Sequence, residues 1–305
     1  MIFMISGLHF LLSYTCIFEC DHCFVYSSPE AKGTFSFSQI KNIIDQAENI
    51  PDIDNVYFEG GEPLLFYQLM LSCVKYAKLK GFKVGIVTNG YWATSKENAE
   101  IILQPFQDIG IEDLSISDDD YHYDNDQNQA KIGINIAKKL NIPVNSICIE
   151  KPSPNIVESK VSDKGQPIIG GNTMFRGRAV DTLIKNEVLP RKNWKELTTC
   201  PYEELQHPKR VHIDPYGNIQ ICQGISIGNV FKEPLKEILE NYDYQSHPIL
   251  KDLIEGGPAQ LVSKHDIQLE TDMFIDECHL CYESRRKMID NLSYYLNPRQ
   301  VYGLE

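Results

Sequence analysis

The sequence predicts an α/β protein: a (β/α) barrel, complete or partial, followed by a small appendage of different construction. Three observations carry this. From residue 8 to about 150, short apolar runs alternate with amphipathic helical ones, the pattern of parallel strands joined by crossover helices. Residues with chemical character (Cys16, Gly60, Asn89, Ser117 and Cys148) fall at or near the C-terminal ends of those runs, where ligands sit in such folds. Beyond residue 190 the pattern changes to a β-hairpin with short helices.

Taken in order, His9–Tyr14 reads as the first strand, and its C-terminal end delivers Cys16. Ser36 and Gln39 have capping-box spacing and open a helix with Ile40, Ile43, Ile44 and Ala47 on one face. Asn55–Glu59 is a second strand ending in Gly60-Gly61-Glu62-Pro63. Pro63 suits the first turn of a helix that runs to about Leu79, with Met70, Val74 and Ala77 inward. Lys83–Thr88 and Asp113–Ser117 are strands three and four, separated by a helix after Ser95. A helix over Gln127–Leu140 and a strand over Pro143–Glu150 complete five steps, and a sixth strand is expected near Pro167–Ile169. Arg176-Gly177-Arg178-Ala179 leads into a short helix. Val211–Asp214 and Ile219–Cys222 then make a hairpin around a Pro-Tyr-Gly-Asn turn. Pro234–Asn241 reads as a short helix and Glu283–Leu296 as a closing one. The expected domains are 1–190 and 191–305.

The chain has 305 residues, 42% hydrophobic and 23% charged, enough for a sizeable core. A net charge of −13 argues against general affinity for nucleic acid or an anionic membrane. The densest basic run, Arg285-Arg286-Lys287, reads as a solvated helix face. Met1–Tyr14 is apolar but lacks a basic flank and a cleavage site, and it is too short to span a bilayer. Nine cysteines without a secretory signal suit metal ligation in a reducing cytoplasm.

Cys16, Cys20 and Cys23 lie within eight residues. Such a tight loop can converge three sulfurs on an iron–sulfur cube and leave its fourth iron open for chemistry. A zinc site completed by His22, or unligated thiols, are the alternatives. With His22 just before the last Cys and an apolar strand before the first, the run resembles the radical S-adenosylmethionine (SAM) superfamily. The resemblance implies a partial (β/α)6 TIM-like barrel whose [4Fe–4S] cluster chelates SAM. An electron from ferredoxin or flavodoxin then releases a 5′-deoxyadenosyl radical, which abstracts hydrogen from the substrate.

The same resemblance assigns cofactor-binding roles. Gly60, Gly61, Glu62 and Pro63 match the element that holds the SAM amino group, and a carboxylate beside permissive glycines is sensible chemistry for that task. Thr88-Asn89-Gly90 matches a strand-three motif, and Ser115 and Ser117 fall where relatives contact the ribose or methionyl part. His22 joins this group, and Arg176 or Arg178 is expected to pair with the SAM carboxylate. Cys148, if it faces the lumen, is a candidate hydrogen donor; otherwise it packs. Cys73 is expected to be buried and inert. Tyr121, His122 and Tyr123 are candidates for the substrate pocket or for a surface loop.

Cys200, Cys222, Cys278 and Cys281 resemble, in order and setting, the SPASM and twitch appendages of the superfamily. Four thiolates fully ligate one auxiliary [4Fe–4S] cluster; a structural zinc ion is the alternative. The appendage points to a ribosomally made peptide as substrate. A small molecule or cofactor precursor is the second choice, and a non-catalytic iron–sulfur or zinc sensor the third.

Overall fold

The computed structural model describes residues 5–123, 128–153, 164–185 and 189–304. Six parallel strands run side by side: β1 (Gly7–Ser13), β2 (Asn55–Gly60), β3 (Lys83–Thr88), β4 (Asp113–Ser117), β5 (Val144–Glu150) and β6 (Gly170–Asn172). Helices α1 (Phe37–Ala47), α2 (Tyr67–Leu79), α3 (Lys96–Ile109) and α4 (Gln129–Lys139) make the first four crossovers, and α5 (Arg178–Thr182) follows β6. Their boundaries have local causes. Ser36 and Gln39 form the anticipated reciprocal capping box, and α1 buries Ile40, Ile43, Ile44 and Ala47. Each large aliphatic side chain so buried contributes about 1.5–3 kcal/mol. Ser95 caps α3, and Gly110 ends it in the left-handed region.

Two expectations in this half need correction. The sixth strand is Gly170–Asn172, because Cys148 and Glu150 pair with Gly170 and Asn172; Pro167–Ile169 line the central cavity instead. Between β2 and α2 there is a separate 3-10 turn over Pro63–Phe66, opened when the Glu62 carboxylate accepts the Leu64 N–H.

The C-terminal third contributes β7 (Lys192–Asn193), β8 (Arg210–Ile213), β9 (Asn218–Cys222), β10 (Ile225–Asn229), α6 (Leu235–Glu240), α7 (Leu250–Lys264), β11 (Met273–Phe274) and α8 (Glu277–Met288). Its hairpin is not a sheet apart. β8 runs parallel to β1, Gly7 opposite Arg210 and His9 opposite His212, and β9 and β10 continue antiparallel. The result is one nine-stranded sheet, β10-β9-β8-β1-β2-β3-β4-β5-β6. With a partner on each edge, all seven residues of β1 are buried. Phe10 stacks on Phe58 at 5.5 Å and meets Phe35 edge-on, and Phe231 from the late segment meets Phe35 in turn. One apolar core therefore crosses the expected boundary at residue 190.

The expected closing helix is α8, which begins six residues earlier, at Glu277, because Asp276 caps it by accepting the His279 N–H. Arg285 is accordingly not on a solvated face. It is buried and donates to the carbonyls of Gln223 and Cys281 and to the Tyr302 hydroxyl. Helix α7 has no counterpart in the sequence reading. Its Gly256-Gly257-Pro258 kink breaks the periodicity, and a side chain at Gly257 would meet the Thr198 backbone at 2.3 Å.

Candidate active site and cysteine clusters

The strand ends enclose a cavity of about 380 Å³. Gly60, Gly61, Asn89, Ser115, Ser117 and His22 line it, so strands β2, β3, β4 and the first cysteine loop converge on one space. Along β5 the alternate residues Asn145, Ile147 and Ile149 face the cavity. Cys148, between them, is exposed and points away, so it cannot return hydrogen to anything held inside.

The first three cysteines sit in a loop pinned by backbone hydrogen bonds. Phe18 N–H donates to Cys16 Sγ at 3.4 Å, Ser27 N–H to Cys23 Sγ at 3.2 Å, and Asn89 Nδ2 to Cys16 Sγ at 3.6 Å. Burial pushes the Cys16 thiol up to about 11. It raises Cys20 further, and there the neighbouring Cys23 and Cys16 add to the effect. Buried Cys16 and Cys20 resist charging alone, and a cationic inorganic core offsets that cost, so the donor set fits an iron–sulfur cluster.

Several residues assigned to SAM turn out to be committed elsewhere. Glu62 is fully buried and accepts from Leu64 N–H at 2.9 Å, Thr88 Oγ1 at 2.8 Å and Asn89 N–H at 2.7 Å. Burial pushes its carboxyl up to about 7 against those three bonds. Glu62 thus positions the Thr88-Asn89 turn, and Pro63 occupies the first position of the 3-10 turn; neither lines the cavity. Arg178 donates to the carbonyls of Cys20 and Ser27 and lies over the Tyr26 ring, so its guanidinium holds the cysteine loop. The two glycines have a packing reason of their own. A side chain at Gly60, which has φ +134°, would meet Ser13 O at 2.5 Å, and one at Gly61 would meet Thr15 O at 2.3 Å.

His22 stacks on Tyr121 at 4.1 Å, and His122 bonds Asp119 at 2.7 Å, which places that aromatic group beside the cysteine loop and not in open solvent. Burial, then His122, lowers His22 to about 4. Cys73 is buried within α2, as expected.

Cys200, Cys222, Cys278 and Cys281 line a second pocket, flanked by Arg176 and Arg285. Arg176 lies between the two spaces. It lines both, donates to Glu203 at 3.4 Å and reaches Cys222 Sγ at 3.8 Å. The central cavity also exposes His9, Glu59 and His212, which sequence reasoning missed; an isolated His in an apolar strand carries no local signal.

Residues 10–149 match the Radical SAM superfamily. Over 111 residues the chain is 26% identical to YydG of Bacillus subtilis, a protein named for peptide biosynthesis; the stretch covers 36% of this chain and 35% of that one. Over 98 residues it is 33% identical to the tungsten-containing aldehyde ferredoxin oxidoreductase cofactor-modifying protein of Pyrococcus furiosus, covering 31% and 27% of the two chains. The chain thus spans about a third of the length of the curated relatives it matches. The solved structure of BtrN in complex with AdoMet and 2-DOIA shares the fold, with a TM-score of 0.52 at 16% identity over 78% of this chain and 82% of that one.

Proposed function

We propose that this chain, whose residues 10–149 match the Radical SAM superfamily, is an enzyme that cleaves SAM reductively and uses the radical to modify a ribosomally made peptide. The observation that carries the reading is the convergence of the loop that holds Cys16, Cys20 and Cys23, through its His22 and Phe24, with the β2, β3 and β4 ends around one cavity. When bound, the [4Fe–4S] cluster and SAM supply a 5′-deoxyadenosyl radical that takes hydrogen from the substrate.

The protein's own contribution is positional. Cys16, Cys20 and Cys23 hold the cluster, and Arg178 braces their loop. The backbone at Gly60 and Gly61 would lie along bound SAM, and Asn89, Ser115 and Ser117 would offer it hydrogen-bonding groups from the cavity wall. The enclosing strands keep water away from the reacting centre. Cys200, Cys222, Cys278 and Cys281 hold one auxiliary [4Fe–4S] cluster, and a ferredoxin or flavodoxin of the cytoplasm donates the electron.

The peptide assignment is supported by the relative named for peptide biosynthesis. A small molecule or cofactor precursor is the second reading, favoured by the relative named for cofactor modification. A non-catalytic sensor has no use for the strand-end groups Asn89, Ser115 and Ser117 around a cavity beside its cluster. Among the described residues no helix is long and apolar enough to cross a membrane.

The test is anaerobic reconstitution followed by dithionite and SAM. Wild type is expected to release 5′-deoxyadenosine and to carry about eight iron atoms per chain. Cys16→Ala should abolish release, and Cys200→Ala should remove about four irons. No release even with cell extract present would defeat the enzymatic reading. A mass-shifted peptide or metabolite in deuterated extract separates the two substrate classes.

A further inference from the structure

The cavity wall carries a second set of converging donors, built by three adjacent strands. His9 on β1 lies opposite His212 on β8 and opposite Tyr57 on β2, and Glu59 follows Tyr57 on the same face of β2. Glu59 Oε1 is 3.1 Å from His9 Nδ1 and 3.2 Å from His212 Nε2, and all three atoms lie within 4.8 Å of one another. His9 and His212 are buried, and all three side chains line the cavity.

We propose that His9, Glu59 and His212 form a binding site for a divalent first-row transition ion whose open coordination positions face the cavity and take an oxygen donor of the substrate.

The chemistry and the geometry agree. Two imidazoles and one carboxylate are the donor set of catalytic zinc and non-haem iron sites that keep positions open. Around an ion with bonds of about 2.1 Å, neighbouring donors stand about 3.0 Å apart in an octahedron and about 3.4 Å in a tetrahedron. The two measured edges fall between these. Stacking on Tyr57 at 4.7 Å fixes the His9 ring. His212 Nδ1 is buried without a partner, so no hydrogen bond from the protein fixes its tautomer.

Arg210 on β8 also lines the cavity, but its guanidinium is engaged elsewhere. It pairs with Glu203 Oε2 at 3.5 Å and donates to the Gly165 carbonyl. Asp113 lines the same cavity and adds negative charge to it.

Ion binding stands on these residues alone; only the substrate-ligating role rests on the function proposed above. The test uses the full chain with its clusters reconstituted, so that the ligand cysteines are occupied. After chelator treatment the protein is equilibrated with Co²⁺ and desalted, and cobalt is counted by mass spectrometry. Wild type is expected to retain one Co²⁺ per chain, with weak d–d bands and no thiolate charge-transfer band. Glu59→Gln and His212→Ala should weaken binding by about 10–100-fold or more. No retained cobalt in wild type, a thiolate band, or equal retention in both variants would overturn the site. If either variant fails to fold, the wild-type count and spectrum still decide.

Discussion

Arg178 donates from Nη1 to the carbonyl oxygen of Cys20 at 3.0 Å, tying the helix after β6 to the loop that carries the first three cysteines. Its Nη2 holds the Ser27 carbonyl, and its backbone N–H holds that of Cys23 at 3.0 Å. The charge is therefore spent on carbonyl oxygens around the cluster loop. Arg178→Ala should cost about 1.5–3 kcal/mol of stability and lower iron loading at the first site, with Arg178→Lys restoring only part. Full loading in the alanine variant, measured by iron and sulfide content, would remove this role.

Gly177 makes the same contact possible from the backbone side. It has φ +61°, and a Cβ there would sit 2.4 Å from Cys23 O. Gly177→Ala is expected to displace the loop and destabilise by about 1–3 kcal/mol, seen as a lowered melting temperature together with reduced cluster absorbance. Gly110→Ala, also at positive φ but with nothing within 4 Å, should lower the melting temperature and leave the cluster intact.

Glu62→Ala strands three donors: the N–H groups of Leu64 and Asn89 and the Thr88 hydroxyl. The expected loss is about 2–4 kcal/mol in chemical denaturation. Glu62→Gln keeps the shape and should lose less. If Glu62 instead gripped SAM directly, the variants would lose SAM affinity while stability stayed unchanged.

Cys148 gives the opposite prediction. It is exposed on the outer face of β5, so Cys148→Ser should stay within about 0.5 kcal/mol of wild type and keep its turnover. A collapse of product formation with 5′-deoxyadenosine release intact would restore it as a hydrogen donor.

Asp214 sets a pH dependence. It accepts from Tyr14 Oη, Tyr216 N–H, Gln220 Nε2 and both the backbone and side chain of Asn218, closing the β8–β9 turn against β1. Burial pushes its carboxyl up to about 6 even so. Between the unfolded value of about 3.9 and the folded one, the native state holds more protons than the unfolded chain. The contribution of Asp214 to stability is thus greatest below about pH 4 and falls as pH rises through about 6, by about 2–3 kcal/mol in all. Asp214→Asn should flatten that slope in denaturation curves taken across the window.

Local signals were readable wherever one stretch of chain decides its own structure. The Ser36–Gln39 capping box, the Ser95 cap and the bounds of β3 and β4 agree with the sequence reading because caps and periodicity act over a few residues. The union of β8 with β1 was not readable, since parallel pairing at long range leaves no mark on either strand alone. Roles failed for a related reason. Glu62 and Arg178 have the charge that a cofactor would want, but only the folded backbone reveals that carbonyls and amides claim them first. His9 and His212 show the converse: each is unremarkable until the sheet sets them side by side.

The pairing of β1 on both edges also has a consequence for how the protein is made. The hydrogen bond from Ser6 to Lys209 spans 203 residues, so the first strand leaves the ribosome long before its second partner exists. During that interval β1 has one exposed apolar edge in a growing chain, the kind of surface that holdase chaperones bind and that aggregation exploits. The wall containing His9, Glu59 and His212 is completed only when β8 arrives. A nascent chain stalled before residue 210 would carry the first cysteine loop but an unfinished cavity, so radical chemistry and its containment are assembled at different times.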